Sequence, residues 1–290
     1  MFPAPIIAAP VDPSITLDKG HPQIFFKNMY GYYRNVPNAG RMGGVNVRDF
    51  FGKSPGTLTA FTTPPDAQIV SAGRPGGWGA WNFNGTSAYI NVPVTDPGSA
   101  VVVGMWVCPT SVVPGNRRTL FCIGTSGYSY QLFTDGSTWQ SYYHNILGDN
   151  GVTSAVGLKV NTWTHVVGAY LNITGNFHAL YINGAKVASG TVSTGLPRTR
   201  TGGPMTIGTE FADFPPSGNW FWQGYIDDVR IFFTNDMTDQ SVFNWYQLSK
   251  RGDPGLLRRI TDPLLWPPPS YQPALVPPGL PGGVAVQQNP

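Results

Sequence analysis

Residues 100–107 read AVVVGMWV and form an almost wholly apolar run. An apolar run of this length fits a β-strand that is buried on both faces, as in the core of a β-sandwich. The neighbouring runs are also short and rich in aromatic and β-branched residues, and Gly, Pro, Asn and Asp separate them. We therefore expect a series of short strands packed around this central one.

Two dipeptides predict the turns of β-hairpins. Asn183-Gly184 follows the alternating run at residues 177–182, and Asp135-Gly136 separates residues 128–133 from residues 139–143. Both dipeptides favour the positive φ angles of short hairpin turns. Similar short runs predict further strands at residues 80–85, 88–92, 119–123, 163–170, 186–188, 204–208 and 223–233.

One short helix is expected after these strands, over residues 238–248. Thr238 is a suitable N-cap, and Val242, Trp245 and Ser249 fall near helical spacing. About a dozen strands without helical crossovers predict an all-β fold of two packed antiparallel sheets.

The bulk composition narrows the classes of partner. Charged residues make up 11% of the chain, against roughly 25% in an average soluble domain. The formal net charge of +3 is too small to indicate nucleic acid or an anionic membrane as a partner. The adjacent Arg117 and Arg118 are expected on a solvated surface. No stretch reaches the roughly 18 uncharged apolar residues of a membrane span.

The chain divides into three zones, of which residues 25–250 hold the strands. Residues 1–24 are Pro-rich and lack periodicity, and residues 251–290 form a hinge and a strongly Pro-rich segment. Proline favours extended backbone and cannot donate ladder hydrogen bonds. We predict one sandwich domain with two extended terminal arms.

Residues 1–10 lack the basic start of a secretory signal, so we expect synthesis in a cytoplasm without export.

Cys108 and Cys122 lie in neighbouring strand-like segments. A disulfide across these strands and two buried free thiols are both compatible with this spacing, and free thiols are the simpler interpretation.

Eight stretches carry further information through their order: residues 30–34 (YGYYR), 47–58 (VRDFFGKSPGTL), 81–90 (WNFNGTSAYI), 104–107 (GMWV), 161–167 (NTWTHVV), 180–184 (LYING), 205–208 (MTIG) and 222–232 (WQGYIDDVRIF). In this order they resemble the laminin-G-like, pentraxin-related domains of the concanavalin A-like lectin/glucanase superfamily. The resemblance implies a jelly-roll sandwich. It leaves function open, because that superfamily includes lectins, hydrolases, adhesion modules and structural domains.

The resemblance also implies a weakened calcium site. Asn84 and Asn183 stand where the family motifs commonly have Asp. Calcium sites gain affinity from carboxylate charge, so both differences argue against a retained ion. We expect no metal and no cofactor.

Glycoside hydrolysis is the enzymatic alternative that this fold raises, and it normally requires two carboxylates. The chain has a single glutamate, Glu210. Asp227 and Asp228 are adjacent, so they should point to opposite faces of a strand, and one of them is expected to pair with Arg230 or to bind loop backbone. We therefore expect no enzymatic activity.

The four histidines also lack the spacing of metal or catalytic motifs. They are His21, His144, His165 and His178. The resemblance places His165 in a buried strand of the family, where it is expected to be a core histidine with its hydrogen bonds satisfied.

Carbohydrate binding is one non-enzymatic hypothesis, because sugar sites combine aromatic rings with polar neighbours. The alternative for the same residues is ordinary packing within the sandwich. Candidate aromatic residues for a glycan site, such as one for cell-surface glycans, are Tyr128, Tyr130, Trp139, Tyr142, Tyr143, Trp220 and Trp222.

Assembly into a larger particle is the other hypothesis, and the one that the sequence favours. Pro-rich ends cannot order themselves, so we expect them to dock on other copies of the chain or on a major capsid protein. The apolar anchors would be Leu264, Leu265, Trp266, Tyr271, Leu275 and Val276.

The layout of the chain is also similar to laminin-G-like proteins of tailed-phage virions. His21-Pro22 precedes Gly31-Tyr32-Tyr33, a basic stretch covers residues 251–259, and a Pro-rich segment follows. This similarity implies a decoration or auxiliary protein of a phage capsid, assembled in the host cytoplasm.

Overall fold

In a computed structural model of the chain, the described residues are 15–17, 29–33, 46–47, 49, 54–61, 80–93, 100–124, 130–145, 148–172, 177–191, 204–210, 220–250 and 257–259. Within these ranges the chain forms seventeen β-strands and one α-helix. All pairings between these strands are antiparallel, as the sequence predicts.

Eight strands form one sheet, which we call the front sheet. In spatial order they are β11 (Gly148–Gly157), β10 (Thr138–Asn145), β9 (Tyr130–Thr134), β8 (Arg118–Ile123), β15 (Met205–Ile207), β6 (Tyr89–Val92), β4 (Gly56–Thr59) and β3 (Asn46–Val47).

Seven strands form the second sheet, which we call the back sheet. In spatial order they are β14 (Ala185–Thr191), β13 (Phe177–Ile182), β12 (Thr164–Leu171), β7 (Val101–Pro109), β16 (Gln223–Phe232) and β2 (Met29–Tyr33), and β5 (Trp81–Asn84) also pairs with β16. All nine residues of β7 are buried, which confirms the strand expected at residues 100–107. The main hydrophobic core draws side chains from both sheets.

The helix α1 (Asp239–Lys250) covers the outer side of the back sheet. Thr238 caps it, because its Oγ1 atom accepts a hydrogen bond of 3.1 Å from the Ser241 N–H. Val242 and Trp245 are buried and pack with Val102 and other residues of the back sheet. The predicted helix and its inward face are confirmed, with the helix ending two residues later than expected.

Hairpin turns join β13 to β14 and β9 to β10, as the two dipeptides predict. Asn183 and Gly184 both have positive φ, at 52° and 80°, which is the conformation of a type I′ turn. Asp135 closes the other hairpin by accepting hydrogen bonds from the N–H groups of Ser137 and Thr138 at 2.7 and 2.8 Å.

Asp228 and Arg230 form a buried ion pair within β16. Asp228 has a φ of 55° where the register with β7 shifts, which is the geometry of a β-bulge. The Arg230 Nε–H donates to Asp228 Oδ1 at 2.8 Å, and Nη2 lies 3.2 Å from Oδ2. The predicted pairing of one aspartate with Arg230 is therefore confirmed.

The predicted burial of both cysteines and of His165 is confirmed. Cys108 and Cys122 are free and buried, so the disulfide alternative is wrong. His165 is fully buried, with its ring 5.4 Å from Trp106 and 5.0 Å from Trp245, measured between ring centroids.

A separate two-stranded ribbon joins the segments that flank the sandwich. It pairs β1 (Ile15–Leu17) with β17 (Leu257–Arg259). The six expected anchor residues between Leu264 and Val276 lie outside the described residues. The division into two arms and one domain stays a prediction.

Candidate functional site

The outward face of the front sheet carries a row of mostly polar residues. Phe121 and Leu132 point to the opposite side of the sheet, into the core. Because paired residues of antiparallel strands share a face, the register places on one outward row Thr57, Asn91, Thr206, Cys122, Gln131, Tyr142 and Gly151.

Arg117 lies at the centre of an aromatic and polar group on this face. Its guanidinium carbon is 4.0 Å from the centroid of the Phe133 ring and 4.8 Å from that of Trp220. The Phe133 ring is in turn 5.1 Å from the Tyr142 ring, between centroids. We use the name Arg117 cluster for these four residues together with Gln131 and Glu210.

The carboxylate of Glu210 balances the charge of Arg117. Arg117 Nη2 is 3.2 Å from Glu210 Oε2, and it also donates to Gln131 Oε1. The Glu210 side chain has no exposed surface, whereas 27% of the Arg117 side chain is exposed. A buried carboxylate needs a partner of opposite charge, which explains why this glutamate faces Arg117.

Tyr142 is held in a fixed position on this face. Gly151 lies opposite it in β11, and a Cβ atom at Gly151 would overlap the Tyr142 ring. The glycine therefore lets the ring pack against the strand backbone. Tyr142 and Trp220 are both half-buried residues.

Asp135 borders the cluster at the hairpin between β9 and β10. Burial alone would raise the pKa of Asp135, but hydrogen bonds from Thr138, Ser137 and Gln140 together hold that pKa below its usual value. The Gln140 amide donates to Asp135 Oδ2 at 2.8 Å. Gln140 also lies opposite Phe133, so the hairpin carboxylate fixes a polar side chain beside the aromatic group.

Arg118 anchors the segment that carries Trp220. Its Nη1 atom donates to the carbonyl oxygens of Gly85 and Phe221, each at 2.8 Å. The Thr119 N–H donates to the Trp220 carbonyl at 2.9 Å. The expected solvated or phosphate-free surface for Arg117 and Arg118 is found only in part, because both residues are half-buried and bonded to neighbouring groups.

Several aromatic residues predicted for a glycan site belong to the core instead. Tyr130, Trp139, Tyr143 and Trp222 are each at most 3% exposed. Their rings point between the sheets and cannot meet a sugar, so the prediction is wrong for these four. Tyr142 and Trp220 do lie together at the Arg117 cluster, and Tyr128 is outside the described residues.

The two asparagines at the family's aspartate positions stabilise turns. Asn84 Oδ1 accepts hydrogen bonds from the N–H groups of three following residues, at 2.9 to 3.0 Å. Asn183 Oδ1 accepts one from the His165 N–H at 2.9 Å. Among the described residues, no group of three or more His, Cys, Asp or Glu is arranged to hold a metal ion.

No helix in the described part of the chain has the length and apolar composition needed to cross a membrane.

Comparison with known families agrees with the sandwich architecture. Residues 84–242, more than half of the chain, match the laminin-G-like family of the concanavalin A-like lectin/glucanases superfamily. The chain belongs to this family. The matched part of this laminin-G-like chain runs from the end of β5 into helix α1, so it spans most strands of both sheets. No curated protein sequence gives a significant match.

Solved structures share the fold at low sequence identity. The binding domain of Paraclostridial Mosquitocidal Protein 1 has a TM-score of 0.57 and 13% identity, over 76% of this chain and 52% of that one. The receptor binding domain of the botulinum neurotoxin C/D mosaic serotype has a TM-score of 0.56 and 14% identity, over 76% and 51%. This laminin-G-like chain thus spans about half the length of the two toxin domains.

A third solved structure is matched over nearly its whole length. It is domain 4 of AbnA, a GH43 extracellular arabinanase from Geobacillus stearothermophilus, in complex with arabinotriose. Its TM-score is 0.54 with 19% identity, over 76% of this chain and 98% of that one. Identities this low show a shared fold.

Proposed function

We propose that this laminin-G-like chain is a saccharide-binding module without enzymatic activity, and that the Arg117 cluster is its binding site. The observation that carries the proposal is the pair of half-buried rings, Tyr142 and Trp220, on one continuous aromatic and cationic group. The apolar faces of sugar rings stack on such aromatic surfaces, while their hydroxyl groups bond to polar neighbours.

The polar residues around the rings suit this chemistry. The half-buried Gln140 carries an amide group, and the partly exposed Arg117 has planar N–H donors on its guanidinium. Contact with Phe133 and Trp220 holds that plane in place through cation–π attraction. A ligand would therefore meet donors that are already oriented.

The neighbouring structures give the proposal independent support. One of them is described as a receptor binding domain and another as a complex with arabinotriose. These descriptions belong to those proteins, and the shared fold makes the same class of ligand a reasonable one to test here.

The absence of enzymatic activity is supported by the occupation of the carboxylates considered for hydrolysis. Asp227 is fully buried, Asp228 is paired with Arg230, and Glu210 is paired with Arg117 in a fully buried position. A general acid must reach the glycosidic oxygen directly, which these geometries do not favour.

A glycan array tests the proposal directly. The wild-type chain should bind one or more saccharides, and Trp220→Ala and Tyr142→Ala should each weaken that binding by about tenfold or more. Trp163→Ala is the matched control, because Trp163 is another half-buried indole that packs on Tyr225 of the back sheet. Binding that survives both cluster variants, or no binding by the wild type, would rule the site out.

The role in a virion stays a prediction. Its anchor residues lie outside the described part of the chain, and the comparisons bear only on the laminin-G-like sandwich.

A further inference from the structure

The charge balance of the Arg117 cluster carries an inference about ligand class, which rests on the proposed saccharide site. The Glu210 carboxylate is fully buried and lies 3.2 Å from the partly exposed guanidinium of Arg117. At distances well beyond 3.2 Å this ion pair acts as a dipole with no net charge, and close to Arg117 the Glu210 carboxylate reduces the positive potential. A ligand therefore meets the hydrogen-bond donors of Arg117 beside an ion pair whose net charge is zero.

A second carboxylate borders the cluster. Asp135 lies at the hairpin on one side, with a pKa that hydrogen bonds hold low, so it is ionised at neutral pH. The edge of the cluster at this hairpin therefore carries a negative charge.

We propose that Glu210 makes the site selective for neutral saccharides over saccharides that carry a carboxylate. A neutral sugar hydroxyl needs only a donor, and the Arg117 guanidinium retains the N–H groups of Nη1, whereas Nε is buried. A sugar carboxylate would have to displace Glu210 from Arg117 or accept repulsion from it. Displacement is unfavourable, because it would separate the fully buried Glu210 carboxylate from the guanidinium 3.2 Å away.

The first test compares neutral and acidic ligands on the unmodified chain. The glycan array should contain both classes, and a galactose trisaccharide and the corresponding galacturonic acid trisaccharide form a matched pair for titration calorimetry. Neutral glycans should give the array signals, and acidic counterparts should bind at least about tenfold more weakly. Affinity for the neutral ligand should change little between about 0.05 and 0.5 M NaCl.

The outcomes separate this inference from the proposed function. Equal or stronger binding of acidic glycans would overturn the selectivity and leave a saccharide-binding site in place. A chain that binds no glycan of either class would overturn the proposed function and the selectivity with it.

The second test removes the carboxylate while conserving its shape. Glu210→Gln keeps a hydrogen-bond acceptor for Arg117 and removes the negative charge. We expect the affinity for acidic relative to neutral ligands to rise about tenfold, and this gain to disappear at high salt. No relative gain in the folded variant would contradict the proposal.

Asp239→Asn provides the matched control. It makes the same change of charge and also breaks an ion pair, of 2.6 Å with Lys186, but at the helix on the back sheet. The ligand preference of this variant should match that of the wild type. The wild-type comparison alone decides the selectivity if Glu210→Gln does not fold.

Discussion

Gly168 of the back sheet provides the space into which the Tyr130 hydroxyl projects from the front sheet. A Cβ atom at Gly168 would overlap the Tyr130 oxygen. That hydroxyl is 2.9 Å from Ser141 Oγ, which is also 2.8 Å from His178 Nε2. Burial raises the pKa of Tyr130 well above its usual value, although the Ser141 hydrogen bond opposes this, so the hydroxyl stays protonated. A buried chain of hydrogen bonds therefore links the two sheets.

Gly168→Ala should destabilise the sandwich by roughly 1–3 kcal/mol, because the added methyl group must displace the Tyr130 hydroxyl or shift a strand. Urea unfolding followed by tryptophan fluorescence measures this change. Gly157→Ala is the control, since a Cβ atom there would have only an ordinary contact of 3.6 Å with the Ser137 carbonyl. Equal stability losses in the two variants would show that the close approach of Gly168 and Tyr130 has no special energetic role.

Asp228→Asn should lower the free energy of unfolding by more than a substitution at an exposed position of a strand would. It would remove the negative charge 2.8 Å from the Arg230 guanidinium, whose side chain is 1% exposed. Loss of one partner from a buried ion pair costs roughly 3–5 kcal/mol. Asp239→Asn, at an exposed pair with Lys186, should cost about 0–1 kcal/mol. Chemical unfolding at neutral pH compares the two, and similar losses would contradict this interpretation.

Asp135 should make the stability depend on pH in the acid range. Its pKa is lower in the folded chain than the usual value of about 3.9, so its contribution is complete above that pH and is lost as pH falls through the folded pKa. Asp135→Asn should therefore be less stable than the wild type near neutral pH, by at most about 1 kcal/mol because the group is partly solvated. The difference should shrink below about pH 4 in unfolding experiments. A difference that stays constant with pH would exclude the carboxylate charge as its cause.

Gly151→Ala tests the position of Tyr142 without removing its ring. The new methyl group must push the ring off the strand backbone. We expect saccharide affinity to fall roughly tenfold, as it would for a misplaced binding group. Calorimetric titration of the wild type, Gly151→Ala and Gly157→Ala on the same strand would measure this. An unchanged affinity in Gly151→Ala would mean that the ring's orientation is unimportant for binding.

Most of the fold follows from local patterns in the sequence. Some features depend only on residues that are close together in the chain, so they can be predicted from one sequence. Examples are the apolar run of β7, the Asn183-Gly184 turn and the Thr238 cap. The strand β11 was missed because residues 148–157 contain three glycines and an aspartate, which are rare in strands. Its pairing with β10, where the Tyr142 ring covers Gly151, overrides that local preference.

Much less of the candidate site could be predicted from the sequence. Arg117 and Glu210 are far apart in sequence, and the order of β9, β8 and β15 in the front sheet brings their surroundings together. The aromatic residues could not be divided into core and surface either, because burial depends on strand register. The alternation of side chains along β9 does indicate which residues face outward, since Gln131 faces outward between the inward residues Tyr130 and Leu132.

The ribbon of β1 and β17 has a mechanical consequence. Ile15 lies opposite Arg259 and Leu17 opposite Leu257, so the polypeptide enters and leaves the ribbon at the same end. Tension applied through the flanking segments would load its residue pairs one after another, as in a zipper. Three pairs would open before the force reached the sandwich, so the proposed binding face would keep its shape.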